Sequence, residues 1–311
     1  MAEPEMRAVY AATLVELAAE DPSICVLEAD LAKATGTGPF AKAYPDRYFN
    51  VGVAEANLVG VASGLSATGR KPFAATFGCF ASRRAYDQFF LSANYAGLGV
   101  VLVGTDPGVT AGFNGGTHMP LEDLTLMRVI PGLAIVEPSD AVSLRAAVRL
   151  AAAREGCTYL RLQRKAAPAR YPDGESFEFG KGKELRRGGD LTLVALGALM
   201  VSEALKAAEL LSAGGVEASV IDAFTLAPLD RELILSRASA SGRVVSCENH
   251  RVTGGLGSAV AELIAEVGIK ARLARIGVGA DEFGEVGTQD WLAGRFRLTA
   301  EHIAAAAGKL M

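Results

Sequence analysis

Short apolar segments of β character alternate with helical segments along most of this chain. Residues 99–104 read Gly-Val-Val-Leu-Val-Gly, and further strand-like runs occupy residues 71–76 and 158–162. Strands that are apolar on both faces predict a parallel sheet with helices packed on each side, because a solvated face would alternate apolar and polar residues. A second series of strands and helices begins at Leu191. The pattern therefore predicts the α/β class with two doubly wound domains.

A change in composition marks the predicted boundary between these two series. Residues 166–189 contain Pro, Gly, Lys and Arg without a clear hydrophobic period, which is typical of a linker. The length of 311 residues also corresponds to about two domains. We expect a first domain over residues 1–168, a linker over 169–189 and a smaller second domain over 190–311.

The composition excludes several classes of protein. Lys and Arg total 31 and Asp and Glu total 35, so the net charge of −4 provides no basic surface for nucleic acid or acidic membranes. The four Cys lie far apart and the chain has only three His, so we expect no Cys/His metal site. The chain lacks an apolar run of about 18 residues, and its first residues lack the features of a secretory signal. We therefore expect a cytoplasmic protein without a membrane span.

The first candidate site residues lie where predicted strands end. Glu55 stands where an apolar strand passes into an Ala-rich and Gly-rich helix, and the helix dipole favours a carboxylate there. It is either an ordinary first-turn acid or, if buried, a group that shares a proton with a heteroaromatic nitrogen. Phe77 and Phe80 follow the next strand. They are either core residues or a wall against which a flat ring packs.

Further candidates follow later strands. A loop with four glycines between residues 105 and 118 leads to His118, and such loops at the carboxyl ends of parallel strands bind ligands. The loop lacks the Gly-Lys-Ser/Thr of a P-loop. Arg161, Arg164 and Lys165 are either an anion site or a strand end paired with local acids. Residues 248–251, Glu-Asn-His-Arg, precede a Gly-rich turn and form either a turn or an interface element.

Three of these stretches together resemble the C-terminal half of a transketolase. They are Phe49–Asn57, Thr76–Gln88 and Gly104–Asp123, and residues 247–262 resemble the C-terminal domain of the same family. The resemblance covers nearly the whole chain and makes the first domain a pyrimidine-binding domain. The Gly-Asp-Gly element with which a full-length transketolase holds magnesium and diphosphate does not occur in this sequence. The chain therefore resembles the C-terminal subunit of a split, two-chain transketolase.

The resemblance implies an enzyme that transfers a two-carbon ketol unit from a ketose to an aldose with thiamine diphosphate. Glu55 matches the glutamate that hydrogen-bonds the aminopyrimidine ring nitrogen and activates the cofactor. Phe80 and Phe77 match the aromatic residues that pack on the pyrimidine. His118 matches the histidine that contacts substrate oxygens near the reacting carbon. Arg164 matches an arginine that contacts the distal phosphate of the substrate.

Departures from the family pattern concern the substrate. Asp106 stands at the position of a phosphate-contacting histidine, Phe113 at that of a glutamate, and Asn114 at that of the aspartate that reads an acceptor hydroxyl. An acid at Asp106 would repel a phosphate bound in the usual place. We expect a modified, branched or sulfonated sugar, or an anion bound elsewhere. The candidate arginines for such an anion are Arg83, Arg84 and Arg164.

The resemblance also implies partners, and it leaves alternatives. An N-terminal subunit would supply the magnesium and diphosphate site, in an α2β2 heterotetramer with twofold symmetry. Residues 84–88, Arg-Ala-Tyr-Asp-Gln, resemble deoxyxylulose phosphate synthase, and the β subunit of a 2-oxo acid dehydrogenase shares the two domains. A non-catalytic regulatory partner of the N-terminal subunit and a sugar-binding module without cofactor are interpretations from other classes.

Overall fold

The structure is a computed structural model that describes residues 3–311, and its contacts divide the chain into two units. The first unit runs to Pro107 and resumes over Leu126–Glu178, whereas the second contains Gly108–Thr125 and Phe179–Met311. The glycine-rich loop thus packs with the C-terminal part of the chain, which the sequence analysis did not anticipate. In the part of the chain from residue 3 onward, no helix is both long and apolar enough to cross a membrane.

The first unit contains six parallel strands that lie in the order β5-β6-β4-β3-β1-β2. They are β1 (Ile24–Glu28), β2 (Tyr48–Asn50), β3 (Lys71–Phe77), β4 (Val101–Thr105), β5 (Ala134–Val136) and β6 (Thr158–Leu162). Every residue of β1, β4, β5 and β6 is buried, because helices cover these strands on both faces. The predicted parallel α/β sheet is therefore confirmed.

The helices of this region include two irregular stretches. They are α1 (Met6–Glu20), α2 (Ala32–Thr35), α3 (Gly38–Ala43), α4 (Glu55–Ala67), α5 (Gly78–Arg83), α6 (Tyr86–Gln88), α7 (Asp123–Arg128) and α8 (Ala141–Ala153), with a 3-10 turn at Pro45–Arg47. Residues 83–95 form the end of α5, the short helix α6 and a π-helical segment, Phe89–Tyr95. The boundary between the two units falls within α7: its residues up to Thr125 belong to the second unit, and those from Leu126 onward belong to the first.

The second unit contains a five-stranded sheet in the order β12-β11-β8-β9-β7. Its strands are β7 (Lys183–Arg186), β8 (Leu191–Leu196), β9 (Ala218–Asp222), β11 (Arg243–Arg251) and β12 (Arg272–Val278), and a further short strand, β10, is Thr225–Ala227. Strand β7 lies inside the predicted linker and pairs antiparallel with β9, whereas the other four strands are parallel. The helices are α9 (Gly197–Ala213), α10 (Arg231–Ser241), α11 (Leu256–Val267), α12 (Gln289–Arg295) and α13 (Ala300–Gly308).

The core of the second unit includes side chains from the glycine-rich loop. Val109, Ala111, Met119 and Leu121 are buried in the same cluster as the apolar residues of β8, α9, α12 and α13. Burying a Val, Leu or Met side chain stabilises the folded state by roughly 1.5–3 kcal/mol. The two ends of the loop are therefore fixed by the hydrophobic effect, while the residues between them stay near the surface.

Candidate active site

Polar and aromatic side chains of the first unit meet at one edge of its sheet. Glu55 begins α4 soon after β2, Phe77 ends β3, Asp106 follows β4 and Arg164 follows β6. Since the strands are parallel, all these carboxyl ends lie at the same edge, where ligands bind in open α/β sheets.

Glu55 is the first residue of α4 and is 4% exposed. Nη1 of Arg84 lies 3.5 Å from each of its two carboxylate oxygens, which is long for a hydrogen bond. The guanidinium of Arg84 also lies 4.2 Å from the centre of the Phe80 ring. Arg84 was predicted only as a candidate for binding an external anion. The structure instead makes it a neighbour of the candidate catalytic carboxylate.

The two candidate aromatic residues form a tilted pair. The ring centres of Phe77 and Phe80 are 6.0 Å apart and their planes meet at 57°. Phe77 is buried at the end of β3, whereas Phe80 is half-buried in α5. The guanidinium of Arg164 lies 5.5 Å from the Phe77 ring centre. Each ring therefore has a cation near its face, an arrangement that is favourable for an aromatic quadrupole.

Asp106 and Arg164 form an ion pair. Nε of Arg164 lies 2.5 Å from Oδ1 of Asp106, and the Asp106 side chain is buried. Burial raises the pKa of Asp106, while the guanidinium of Arg164 opposes that rise. Asp106 also has a left-handed backbone with φ of 60°. Asp106 and Arg164 were predicted to act separately on a substrate anion, but in the structure their charges offset one another.

Arg161 corrects one prediction. Its side chain is fully buried within β6, and its Nη1 donates to Oε2 of Glu137 at 2.8 Å. An anion site at this strand end therefore excludes Arg161, because its guanidinium lies inside the fold. Nor is Arg161 part of a solvated strand end paired with local acids, since it is buried and Glu137 lies on another segment. Arg83 is exposed at the end of α5, and its Nε donates to the carbonyl of Cys79 at 3.3 Å.

The remaining predicted residues belong to the second unit. Phe113 is 71% exposed, Asn114 is also exposed and His118 is half-buried. Nδ1 of His118 lies 2.8 Å from the hydroxyl of Thr117. Within residues 3–311, no group of three or more His, Cys, Asp or Glu side chains is placed to hold a metal ion.

One buried acid was missed by the sequence analysis. Glu28 ends β1 and is fully buried, and its Oε1 accepts hydrogen bonds from the hydroxyls of Thr35 at 2.6 Å and Thr37 at 2.7 Å. Burial raises the pKa of Glu28 to about 7. The sequence does not show which hydroxyl groups will contact an acid at the end of an apolar strand, so these two hydrogen bonds are visible only in the fold.

Comparison with known proteins identifies the family. The model of the transketolase pyrimidine-binding domain matches residues 2–170, and that of the transketolase C-terminal domain matches residues 180–303. The chain belongs to the transketolase family. Thiamine diphosphate dependence and transferase chemistry are what this family implies.

Two curated relatives match the transketolase chain over nearly its full length. The 6-deoxy-6-sulfo-D-fructose transketolase subunit SqwH of Clostridium sp. (strain MSTE9) is 47% identical over 302 residues, which are 97% of this chain and 93% of the relative. A putative transketolase C-terminal section of Methanocaldococcus jannaschii is 40% identical and covers 96% of this chain and 94% of the relative. The predicted resemblance to a split transketolase subunit is thus confirmed.

A longer curated relative and two solved structures also match this chain. The 1-deoxy-D-xylulose-5-phosphate synthase of Heliobacterium modesticaldum is 38% identical, and the chain spans 47% of its length. A solved structure described as a split gene transketolase, inactive beta4 tetramer, is 45% identical, with a TM-score of 0.91 and 98% of each chain covered. A transketolase from Pichia stipitis, at 24% identity and a TM-score of 0.81, shows the shared fold.

Proposed function

We propose that this chain is the C-terminal subunit of a two-chain transketolase that transfers a two-carbon ketol unit from a ketose to an aldose. The buried carboxylate of Glu55, at the sheet edge that also carries Phe77 and Phe80, is the observation that carries the proposal. A carboxylate at the start of a helix and two phenyl rings are the groups needed to hold a flat, nitrogen-containing ring.

The residues present fit the pyrimidine end of thiamine diphosphate. Glu55 would hold the proton shared with a ring nitrogen, and Phe77 and Phe80 would pack against the ring. When bound, the cofactor supplies the carbon nucleophile that carries the two-carbon unit. His118 would donate to or accept from substrate oxygens near the reacting carbon, and Asn114 would read an acceptor hydroxyl.

The partner in this proposal is an N-terminal transketolase subunit in an α2β2 heterotetramer. That subunit would hold magnesium and the diphosphate of the cofactor. Two observations support a partner: this chain matches the pyrimidine-binding and C-terminal domain models, and a 40% identical relative is described as a C-terminal section. We also place the assembled enzyme in the cytoplasm.

The ion pair of Asp106 and Arg164 supports a substrate other than an ordinary pentose phosphate. A phosphate carries up to two negative charges, and Arg164 attracts it less strongly when Asp106 already neutralises the guanidinium. A distal group with one charge or none needs less positive charge. The name of the 47% identical relative specifies a sulfonated ketose, 6-deoxy-6-sulfo-D-fructose. We propose a donor of this class, with Arg83 as a further cation near its distal group.

Reconstitution tests the proposal. The chain is mixed with a candidate N-terminal subunit, magnesium and thiamine diphosphate, and each component is omitted in turn. The donors are 6-deoxy-6-sulfo-D-fructose, an unmodified ketose and xylulose 5-phosphate. We expect ketol transfer only in the full mixture, with the sulfonated donor preferred.

Three other results would overturn parts of the proposal. Turnover of xylulose 5-phosphate with ribose 5-phosphate at ordinary transketolase rates would reject the unusual substrate. Release of carbon dioxide from a 2-oxo acid, without ketol transfer, would favour the synthase-like function that the 38% identical relative represents. Full activity without the cofactor would reject the assignment of Glu55.

A further inference from the structure

The loop that carries Asn114 and His118 is held by a strand of the C-terminal domain. Strand β11 includes residues 248–251, which the sequence predicted as either a turn or an interface element, and Glu248, Asn249 and His250 are all buried. All the contacts of this strand end with Gly108–Thr125 lie inside the second unit.

Asn249 fixes the first part of the loop. Its side-chain oxygen Oδ1 accepts a hydrogen bond from the backbone N–H of Val109 at 2.9 Å. The preceding residue, Gly108, has φ of 50°, and a Cβ added there would overlap both the carboxamide and the backbone carbonyl of Asn249. The loop therefore approaches Asn249 more closely than any residue with a side chain would allow.

The later part of the loop contacts residues that follow Asn249 in the chain. The backbone N–H of Arg251 donates to the carbonyl of Leu121 at 3.0 Å. The hydroxyl of Thr125 donates to the carbonyl of Thr253 at 2.7 Å. The end of β11 and the residues that follow it therefore hydrogen-bond the loop segment on both sides of Asn114 and His118.

The strand end is itself immobilised. The carboxylate of Glu248 accepts hydrogen bonds from the backbone N–H groups of Leu256 at 2.7 Å and Gly257 at 2.9 Å, at the start of α11. A carboxylate at this position satisfies N–H groups that the helix leaves unpaired and is stabilised by the helix dipole. The strand end that carries Asn249 is therefore held in place by the start of α11.

Between its anchored ends the loop presents polar and aromatic groups at the surface. Val109 and Met119 are buried, whereas Phe113, Asn114 and Thr117 are exposed and His118 is half-buried. Fixed ends and an exposed middle are the arrangement by which a scaffold displays binding residues on a loop.

We propose that Asn249 is a positioning residue for the substrate: it holds the loop so that Asn114 and His118 keep one conformation. This inference rests on the proposed function. The C-terminal domain then contributes to sugar recognition through β11, although Asn249 itself touches no substrate. Displacement of a reacting group by about 1 Å can cost on the order of a hundredfold in rate.

The first test is Asn249→Ala in the reconstituted enzyme. We expect kcat/KM for the sugar to fall by roughly 10- to 100-fold, mainly through a higher KM, with the concentration dependence on thiamine diphosphate unchanged. Gly108→Ala disrupts the same contact from the loop side. It should likewise raise KM for the sugar and leave the concentration dependence on thiamine diphosphate unchanged. The control is Val244→Ala, a buried residue of the same strand outside the core cluster that holds the loop ends, which should lower the melting temperature but leave KM unchanged. Wild-type sugar KM in both test variants would reject the positioning role.

Hydrogen exchange gives a readout that does not need activity. In Asn249→Ala, amide exchange should accelerate in the segment 108–118 and stay at the wild-type level in β8 and β9. Val244→Ala should show no such local change in the loop. Unchanged exchange in the loop would overturn the inference. If the wild-type mixture shows no ketol transfer, the proposed function fails, whereas the exchange experiment still decides whether Asn249 holds the loop.

Discussion

The two regions that carry the candidate residues are built on different principles. In the first unit, Glu55, Phe77 and Asp106 owe their positions to the carboxyl ends of parallel strands in one sheet. In the second unit, His118 owes its position to a loop clamped by β11, which lies some 130 residues later in the sequence. The comparison shows that the ends of parallel strands place one group of candidate residues, whereas the other group needs a contact that only the tertiary fold provides.

Removing the carboxylate of Glu55 is the strongest way to test the strand-edge region. Glu55→Gln keeps the size of the side chain but cannot hold the proton that we assign to it. We expect turnover of the reconstituted enzyme to fall by about 10²- to 10⁴-fold, the usual contribution of a proton-transfer group. Size-exclusion chromatography should show the same assembly as the wild type. Unchanged turnover would remove Glu55 from the mechanism and favour a regulatory role for the chain.

The strand-edge region also contains a group that should make its stability depend on pH. The pKa of Glu28 is raised to about 7 in the folded chain, above its ordinary value near 4.5. As the pH rises between these values, the unfolded chain releases this proton while the folded chain retains it. The free energy of unfolding therefore falls, and the stabilisation present below about pH 4.5 is lost by about pH 7.

Glu28→Gln should abolish this part of the pH dependence. Between pH 5 and pH 8, we expect the wild type to lose up to about 3 kcal/mol of unfolding free energy relative to the variant. Chemical denaturation at the two pH values measures the difference. Glu155→Gln, an exposed acid of the same unit, is the control and should behave like the wild type. Equal pH dependence in wild type and Glu28→Gln would show that burial does not hold the proton on Glu28.

The contrast between the strand-edge region and the loop held by β11 also explains which features the sequence could predict. The apolar run at residues 99–104 was assigned as a strand and appears as Val101–Thr105, because burial on both faces leaves a continuous hydrophobic signal. The buried polar residues Glu248, Asn249 and His250 gave no such signal. Glu248 and Asn249 accept hydrogen bonds from N–H groups at the start of α11 and in the loop, and no hydrophobic period reveals such partners. The sequence left two interpretations of Arg161 open for the same reason, since its partner Glu137 lies on another segment.

The Asp106–Arg164 pair allows a smaller change that separates substrate charge from catalysis. Asp106→Asn removes the negative charge, and asparagine is one of the few residues that tolerate the positive φ of this position. Arg164 would then attract a phosphate more strongly. We expect kcat/KM for a phosphorylated donor to rise by about tenfold relative to a sulfonated or uncharged donor, which is a change of about 1.4 kcal/mol.

Asp87→Asn removes the same charge from an exposed position in α6 and is the matched control for this shift in selectivity. A general change in net charge would affect both variants equally, whereas a local effect at Arg164 appears only in Asp106→Asn. If neither variant alters the ratio of the two donors, the ion pair does not set the charge preference. The specificity would then have to come from the loop that β11 holds, and Asn114→Asp in that loop becomes the variant that decides between the two regions.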